Sequence, residues 1–315
     1  MFSIVMPLYN KAPYVRKTLD SVWGQTCQDW ELVIVDDGSR DNSAAIVEQW
    51  ISEKGSAFRG KLIRQGNQGV SVARNNGVRA SHGKYLCFLD ADDWWAPDFL
   101  QEMQGLIDSF SDAGIYGTAY FYHKNGRDEV RMSVPTGYIN YFAEYARGGA
   151  MTLWTGAVCV PRNVFDTCGG FQSGVKLGED FLLWARIAMQ YKVAFLMKPL
   201  AYYNQDVDAA GRGIGHLYPP EEHMLWHLDE YAELEQTDSD YKRLVDKLRM
   251  TGLKPYWLSD KWHEAAALQL QKVDWSRQSS AGKCWYSKPL WYLRLEQWVL
   301  HAGSVCKQKL INMIR

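Results

Sequence analysis

The chain has 315 residues, a formal net charge of −1, 47% hydrophobic residues and 23% charged residues. This ordinary globular balance suits one large α/β domain with a smaller appendage. It excludes a low-complexity chain, and neither a solenoid nor a propeller repeat is present. No apolar stretch is long enough to span a bilayer, the best being Met151 to Val160, which polar and glycine residues interrupt. Six scattered cysteines form no Cys-x-x-Cys pair, the usage expected of reduced thiols in a cytoplasmic protein rather than a disulfide frame or zinc site. The first strand-like run begins at Phe2, which leaves no room for a signal peptide. Charge is uneven: from Lys272 onward there are eight Lys/Arg against Asp274 and Glu296, or +6, so −7 precedes them. Basic clustering confined to the tail of an acidic body argues against nucleic-acid binding and for a separate task of the tail.

In chain order, Phe2–Met6 is a short apolar run, and Pro13–Trp23 follows with apolar residues at helical spacing. Glu31–Val35 is a continuous β-branched run of the kind buried on both faces of a parallel sheet. It ends in Asp36-Asp37-Gly38-Ser39, after which Asp41 and Asn42 cap an expected helix through Trp50. Lys61–Ile63 reads as a third strand, Ser71–Ala80 as a helix, and Tyr85–Leu89 as a fourth strand ending in Asp90-Ala91-Asp92-Asp93. This alternation implies an α/β sheet with right-handed crossovers. Farther on, Ile115–His123 and Thr155–Val160 read as strands and Phe181–Tyr191 as a helix. From Pro219 the chain reads as mostly helical, with amphipathic stretches at Glu222–Leu234 and Tyr241–Leu253. The glycine-rich stretch Val207–Gly215 is the expected boundary, giving a sheet domain over 1–212, with halves 1–110 and 111–212, and a helical region over 213–315.

Ligands of an open α/β sheet bind at the carboxyl ends of its strands. Here those ends carry Pro7-Leu8-Tyr9-Asn10, Asp36-Asp37-Gly38-Ser39 and Asp90-Ala91-Asp92-Asp93, with no glycine-rich phosphate cradle after the first strand. A bound pyrophosphate would need neutralising by a hard divalent cation, Mg²⁺ or Mn²⁺, and Asp90, Asp92 and Asp93 suit such an ion. Singly, each cluster also reads as a turn or a helix cap; together, at the ends of strands two and four, they read as a site.

Five ordered elements carry a resemblance. These are Val5-Met6-Pro7-Leu8-Tyr9-Asn10, Leu19-Asp20-Ser21-Val22 with Gln25-Thr26, Val35-Asp36-Asp37-Gly38-Ser39, Asn67–Asn75, and Phe88–Asp93. From Ser3 to Trp95 the chain resembles the donor half of family 2 glycosyltransferases, which have the GT-A fold: a nucleotide-binding α/β sheet flanked by helices. The resemblance implies that Pro7, Tyr9 and Asp37, with Asn10 in the same motif, surround the base and ribose. It implies that Arg74 faces the diphosphate, and that Asp90-Ala91-Asp92 is the metal- and ribose-binding Asp-x-Asp. Thr155-Gly156-Ala157, Arg162, Phe165 and Gly169-Gly170-Phe171 look like the acceptor-side segment, and Glu179-Asp180 like the catalytic pair that follows it. In the family the aspartate of this pair is the general base, which maps to Asp180; the bland reading makes Asp180 a helix cap. His216 is a further candidate for the diphosphate or metal from a loop. Trp94, Trp95, Trp154 and Trp184 are sugar-stacking candidates by type, although tryptophans beside buried strands are more often core.

The expected chemistry is inverting transfer of a sugar from a nucleotide-diphosphate donor, UDP-linked by resemblance, to a hydroxyl of a glycan or lipid-linked glycan. Such relatives build bacterial surface polysaccharide. Two rivals are a catalytically silent nucleotide-sugar-binding module, which should have lost Asp92 or Asp180, and a sugar nucleotidyltransferase, which should carry a glycine-rich loop after the first strand. In the tail, 285–315, Trp291, Leu295, Trp298 and Val299 recur at helical spacing among Lys288, Arg294, Lys307 and Lys309. That composition suits a helix lying on an anionic membrane, which would place the protein at the inner membrane face. It equally suits packing against the catalytic domain or a second subunit, the latter making a homo-oligomer.

Overall fold

The computed structural model describes residues 1–148, 151–207 and 216–299. The chain divides into two compact units, Met1–Tyr241 and Lys242–Arg315. The boundary expected at residues 212 and 213 lies outside the described residues.

The first unit is built on one ten-stranded sheet. Its strands are β1 (Phe2–Leu8), β2 (Trp30–Asp36), β3 (Gly60–Arg64), β4 (Tyr85–Phe88), β5 (Trp94–Trp95), β6 (Ala113–Lys124), β7 (Arg127–Glu129), β8 (Gly137–Ile139), β9 (Val158–Pro161) and β10 (Lys192–Asn204). The main order is β3-β2-β1-β4-β9-β6-β10-β5, with β7 paired to β6 and β8 to β10. The first four strands are mutually parallel, and β9 enters antiparallel between β4 and β6. The flanking helices are α1 (Val15–Trp23), α2 (Ser43–Lys54), α3 (Val70–Arg79), α4 (Phe99–Ser109), α5 (Tyr141–Arg147), α6 (Arg162–Cys168) and α7 (Glu179–Ala188), followed by short α8 (Met224–His227) and α9 (Ala232–Thr237). Helix α10 (Ser239–Gly252) leads into the second unit, where α11 (Lys254–Leu258), α12 (His263–Leu270), α13 (Ser280–Ser287) and a helix over 290–299, α14, follow.

Alternation along the parallel strands explains the layers. Ile4, Met6, Leu8, Leu32 and Ile34 join the large core, whereas Val33 and Val35 pack with Ala73 of α3 on the opposite face. Both faces are therefore dry, as the unbroken apolar run of β2 required. Helix α3 approaches closely because Gly77 has no Cβ: one placed there would stand 2.4 Å from Val5 Cγ1.

The sheet reverses direction beside β1, since β2 and β3 are laid to one side of it and β4 to the other. That switch point is where a cleft forms. The β1–β4 ladder stops at Val5–Phe88, and Leu89 donates the last bond to the Val5 carbonyl. Pro7, two residues on, faces the same side of β1, so its missing N–H removes no ladder bond from this central strand. The strands part at that point, and the chain beyond each carries the polar clusters.

Three segments differ from expectation. Thr155–Ala157 is a 3₁₀ turn and the strand begins at Val158. The helix expected over Glu222–Leu234 is broken, because His223 is extended (φ −123°) and its side chain caps α8 by accepting from Leu225 N. The thirteen-residue β10 was not anticipated. Its Pro199 sits at two register shifts against β6, where an irregular ladder accommodates a proline.

Candidate active site

Four polar segments meet at the switch point. After β1, Tyr9 is 40% exposed and Asn10 is left-handed at φ 52°, a conformation that asparagine tolerates better than most residues. Asn10 is tied to the β2 loop in both directions: its N–H donates to Ser39 Oγ (3.1 Å), and its Oδ1 accepts from Arg40 N (2.8 Å). Pro7 itself is buried in β1. At the end of β2, Asp36 accepts from Ser39 N (3.0 Å). Asp37 accepts from Gln65 Nε2, Gln68 N and Gly69 N, each at 2.8 Å. The buried Asp37 carboxylate thus organises the loop that starts α3, and three acceptor positions are already used within the protein.

Beyond β4, the Asp90 and Asp92 side chains are partly exposed and Asp93 is buried. Asp92 Oδ2 receives Lys11 Nζ at 2.6 Å, with both side chains about 15% exposed. Burial raises the Asp92 carboxyl above its usual range, Lys11 pulls it down, and Asp90 adds to the rise. Asp93 is 2% exposed and accepts from Asn204 N at 2.8 Å, fastening the end of β10. Burial, then the charges of Asp92 and Asp90, push its carboxyl well above the usual range. Ala91, also buried, turns inward between them.

Arg74 joins the two halves of the unit. It lies on α3, 3% exposed, and donates from Nη2 to Asp90 Oδ1 and from Nη1 to Glu179 Oε1, both at 2.8 Å. Its guanidinium stacks 5.1 Å from the centre of the Phe171 ring. Burial opposes its charge, but the Asp90 and Glu179 carboxylates more than compensate and hold it protonated. Glu179 is raised to about 7, by burial first and by Asp180 second, against the pull of Arg74. Both carboxylates stand in the first turn of α7, where the helix dipole favours negative charge.

The helix cap is Gly178 rather than Asp180. Gly178 is left-handed (φ 83°), and a Cβ there would stand 2.2 Å from Met224 Sδ, so glycine is required on both counts. Asp180 Oδ1 accepts from its neighbour Phe181 N (2.7 Å), and Oδ2 accepts from the buried Thr155 Oγ1 (2.9 Å). Its carboxylate is therefore oriented from two directions while remaining partly exposed.

The structure brings Tyr9, Asn10, Asp37, Arg74, Asp90, Asp92, Glu179 and Asp180 onto connected segments. His216 is exposed, with its ring 6.0 Å from that of Tyr218. Among the described residues no three His, Cys, Asp or Glu side chains group as a metal site. Trp95, Trp154 and Trp184 are core. Trp94 is part-exposed, stacked on Tyr202 (5.2 Å) beneath Lys17 Nζ. Lys11 was missed by sequence reasoning, although a cation directly after the β1 motif was its signal; Thr155 was named in the acceptor-side segment, but not its hydrogen bond to Asp180.

Comparison with known proteins adds the lineage. The family model described as Glycosyl transferase family 2 matches residues 3–165. The amylovoran biosynthesis glycosyltransferase AmsB of Erwinia amylovora is 29% identical over 210 residues, covering 64% of this chain and 69% of that protein. The glycosyltransferase GlyA of Streptococcus pneumoniae is 35% identical over 123 residues, 39% of this chain but only 17% of GlyA. Two further bacterial relatives are covered over 36% and 29% of their length, so several of these likenesses are to a part of a longer protein. Among solved structures, S. aureus TarS 1-349 in complex with UDP-GlcNAc superposes with a TM-score of 0.58 at 18% identity, over 86% of this chain and 88% of that one. The mannosyltransferase PcManGT from Pyrobaculum calidifontis, in complex with GDP-Man and Mn²⁺, gives 0.59 at 18% identity, over 96% and 86%. These likenesses show the fold, which is of the GT-A type.

Proposed function

The chain belongs to glycosyl transferase family 2, and from that premise we infer that it moves one sugar, with inversion, from a nucleotide-diphosphate donor to an acceptor hydroxyl. A UDP-sugar is the proposed donor and a glycan or lipid-linked glycan the proposed acceptor. The observation that carries this reading is the Arg74 bridge, because one buried guanidinium holds both Asp90, on the donor side, and Glu179, beside Asp180. Donor and acceptor chemistry would then be held in register by a single rigid group.

In this reading Tyr9, Asn10 and Asp37 shape the base and ribose end of the cleft, with Pro7 and Ala91 as its backbone walls. Asp90 and Asp92 suit a divalent cation: two hard carboxylates at a cleft mouth are what Mg²⁺ or Mn²⁺ uses when substrate phosphates supply the remaining oxygens. Such an ion would stabilise the departing diphosphate as a Lewis acid. Lys11 now neutralises Asp92, and the cation would take over that role.

Asp180 takes the proton of the acceptor hydroxyl as that oxygen attacks the anomeric carbon from the face opposite the diphosphate. Thr155 and the Phe181 amide fix the direction of its carboxylate. One displacement inverts the centre, so an α-linked donor should give a β-linked product. Glu179 acts on position rather than on protons, tying α7 to Arg74.

Asp180→Asn tests the assignment. Transfer should fall by at least about 10²-fold, in line with general-base contributions, while donor affinity measured by calorimetry stays within about twofold. Loss of donor affinity instead would move Asp180 into the nucleotide site or the framework.

A further inference from the structure

The last described helix of the second compact unit has one-sided packing. On α14 Leu293 is buried (2% exposed), whereas Trp291 (68%), Leu295 (51%), Trp298 (68%) and Val299 (54%) are open to solvent, with Tyr292 at 39%. At 100° per residue these five fall within a sector of about 120°, and Leu293 lies on the opposite side. Arg294 anchors the helix to its own unit through Asp260 (2.7 Å) and the Leu258 carbonyl (3.1 Å). The helix is therefore docked by one face and leaves a stripe of two tryptophans and two aliphatics uncovered. These account for four of the ten large apolar side chains most exposed among the described residues, and a stripe of this kind marks a contact surface.

Charge indicates what it contacts. The Lys242–Arg315 unit carries fourteen Lys/Arg against five Asp/Glu, a formal +9, which leaves −10 on Met1–Tyr241. The division is sharper than the tail alone suggested. A second copy docking through this stripe would bring two units of +9 together, whereas a negatively charged surface would be attracted to it. No helix among the described residues is long and apolar enough to cross a membrane, so the stripe suits lying on a bilayer rather than spanning one. Tryptophans with an apolar body and a polar N–H fit the boundary between headgroups and acyl chains.

We propose that α14 is a membrane-surface anchor: its Trp291–Leu295–Trp298–Val299 stripe inserts at the headgroup level of an anionic phospholipid bilayer, and the cationic unit around it supplies the electrostatic attraction. This holds whatever donor the enzyme uses, because it rests on the second unit alone.

Vesicle co-sedimentation of the full chain tests it. Vesicles of equimolar phosphatidylglycerol and phosphatidylcholine should bind the protein at least about tenfold more strongly than phosphatidylcholine alone, and about 0.5 M NaCl should remove most of that preference. The triple variant Trp291→Ser, Leu295→Ser, Trp298→Ser should lose about tenfold or more in binding, with an unchanged melting temperature because all three side chains are exposed. Trp298→Ser alone should show a partial loss, which keeps the test valid should the triple variant fold poorly. Variants that bind like wild type, or a wild-type chain that binds neither vesicle, would overturn the proposal. Sedimentation velocity gives the remaining outcome: a wild-type dimer that the triple variant dissolves would assign the stripe to a second copy instead.

Discussion

At the residue scale, Arg74 is the group on which the site depends most. A buried ion pair adds little net stability over an apolar substitute, but removing one partner strands the others in a poor solvent. Arg74→Met should therefore destabilise the protein by about 3–5 kcal/mol, with Glu179 left buried beside Asp180. Arg74→Lys should recover only part of this, since one ammonium cannot reproduce two diverging N–H donors. Chemical unfolding of the three proteins checks both statements; a loss under about 1 kcal/mol in the methionine variant would mean that solvent reaches the carboxylates. The motifs around Arg74 were legible in the sequence because Asp36-Asp37, Asp90-Ala91-Asp92 and Glu179-Asp180 are short and contiguous. Its bridging role was not, because Glu179 lies 105 positions away, and no local pattern shows that a helix arginine turns inward. The assignment of Asp37 to the nucleotide base was likewise silent about the three internal hydrogen bonds that its carboxylate already accepts.

At the element scale, the parallel half of the sheet was readable because β1, β2 and β4 are short, mostly apolar runs followed by polar turns. The second half of the sheet, where parallel and antiparallel pairs mix, was obscured by Pro199 within β10 and a 3₁₀ turn at Thr155–Ala157, and the stretch after it by an extended His223 inside an amphipathic pattern. The last of these matters for the site. His223 bridges to Leu177, and Met224 N donates to the Leu177 carbonyl (3.0 Å), beside the Gly178 cap of α7. As a cap acceptor, the His223 ring is neutral, with Nδ1 unprotonated toward Leu225 N (3.2 Å). Burial, aided by His227, lowers it to about 4 from an ordinary 6.5. A depressed folded-state value means that its stabilising contribution is present above pH 6.5 and lost as pH falls toward 4, amounting to up to about 3 kcal/mol. His223→Asn keeps an acceptor for Leu225 N without titrating. The melting temperature of wild type should accordingly fall more steeply than that of the variant between pH 6.5 and 4.5. Parallel curves would show that His223 is not the titrating group.

At the scale of the molecule, the chain pairs an acidic GT-A unit with a basic helical one, and the family resemblance seen in the sequence covered the first far better than the second. The family match ends at residue 165, before Glu179 and Asp180, so the acceptor-side residues rest on geometry more than on lineage. The central claim is donor chemistry at the Asp90–Asp92 pair with Asp180 opposite. Its most direct test is the release of nucleoside diphosphate from a panel of UDP- and GDP-sugars, with and without Mn²⁺ or Mg²⁺, by wild type, Asp92→Asn and Asp180→Asn. The expected result is release from one nucleotide class, dependent on the added cation and reduced by at least about 10²-fold in either variant. Undiminished release in excess chelator, or variants as active as wild type, would contradict it.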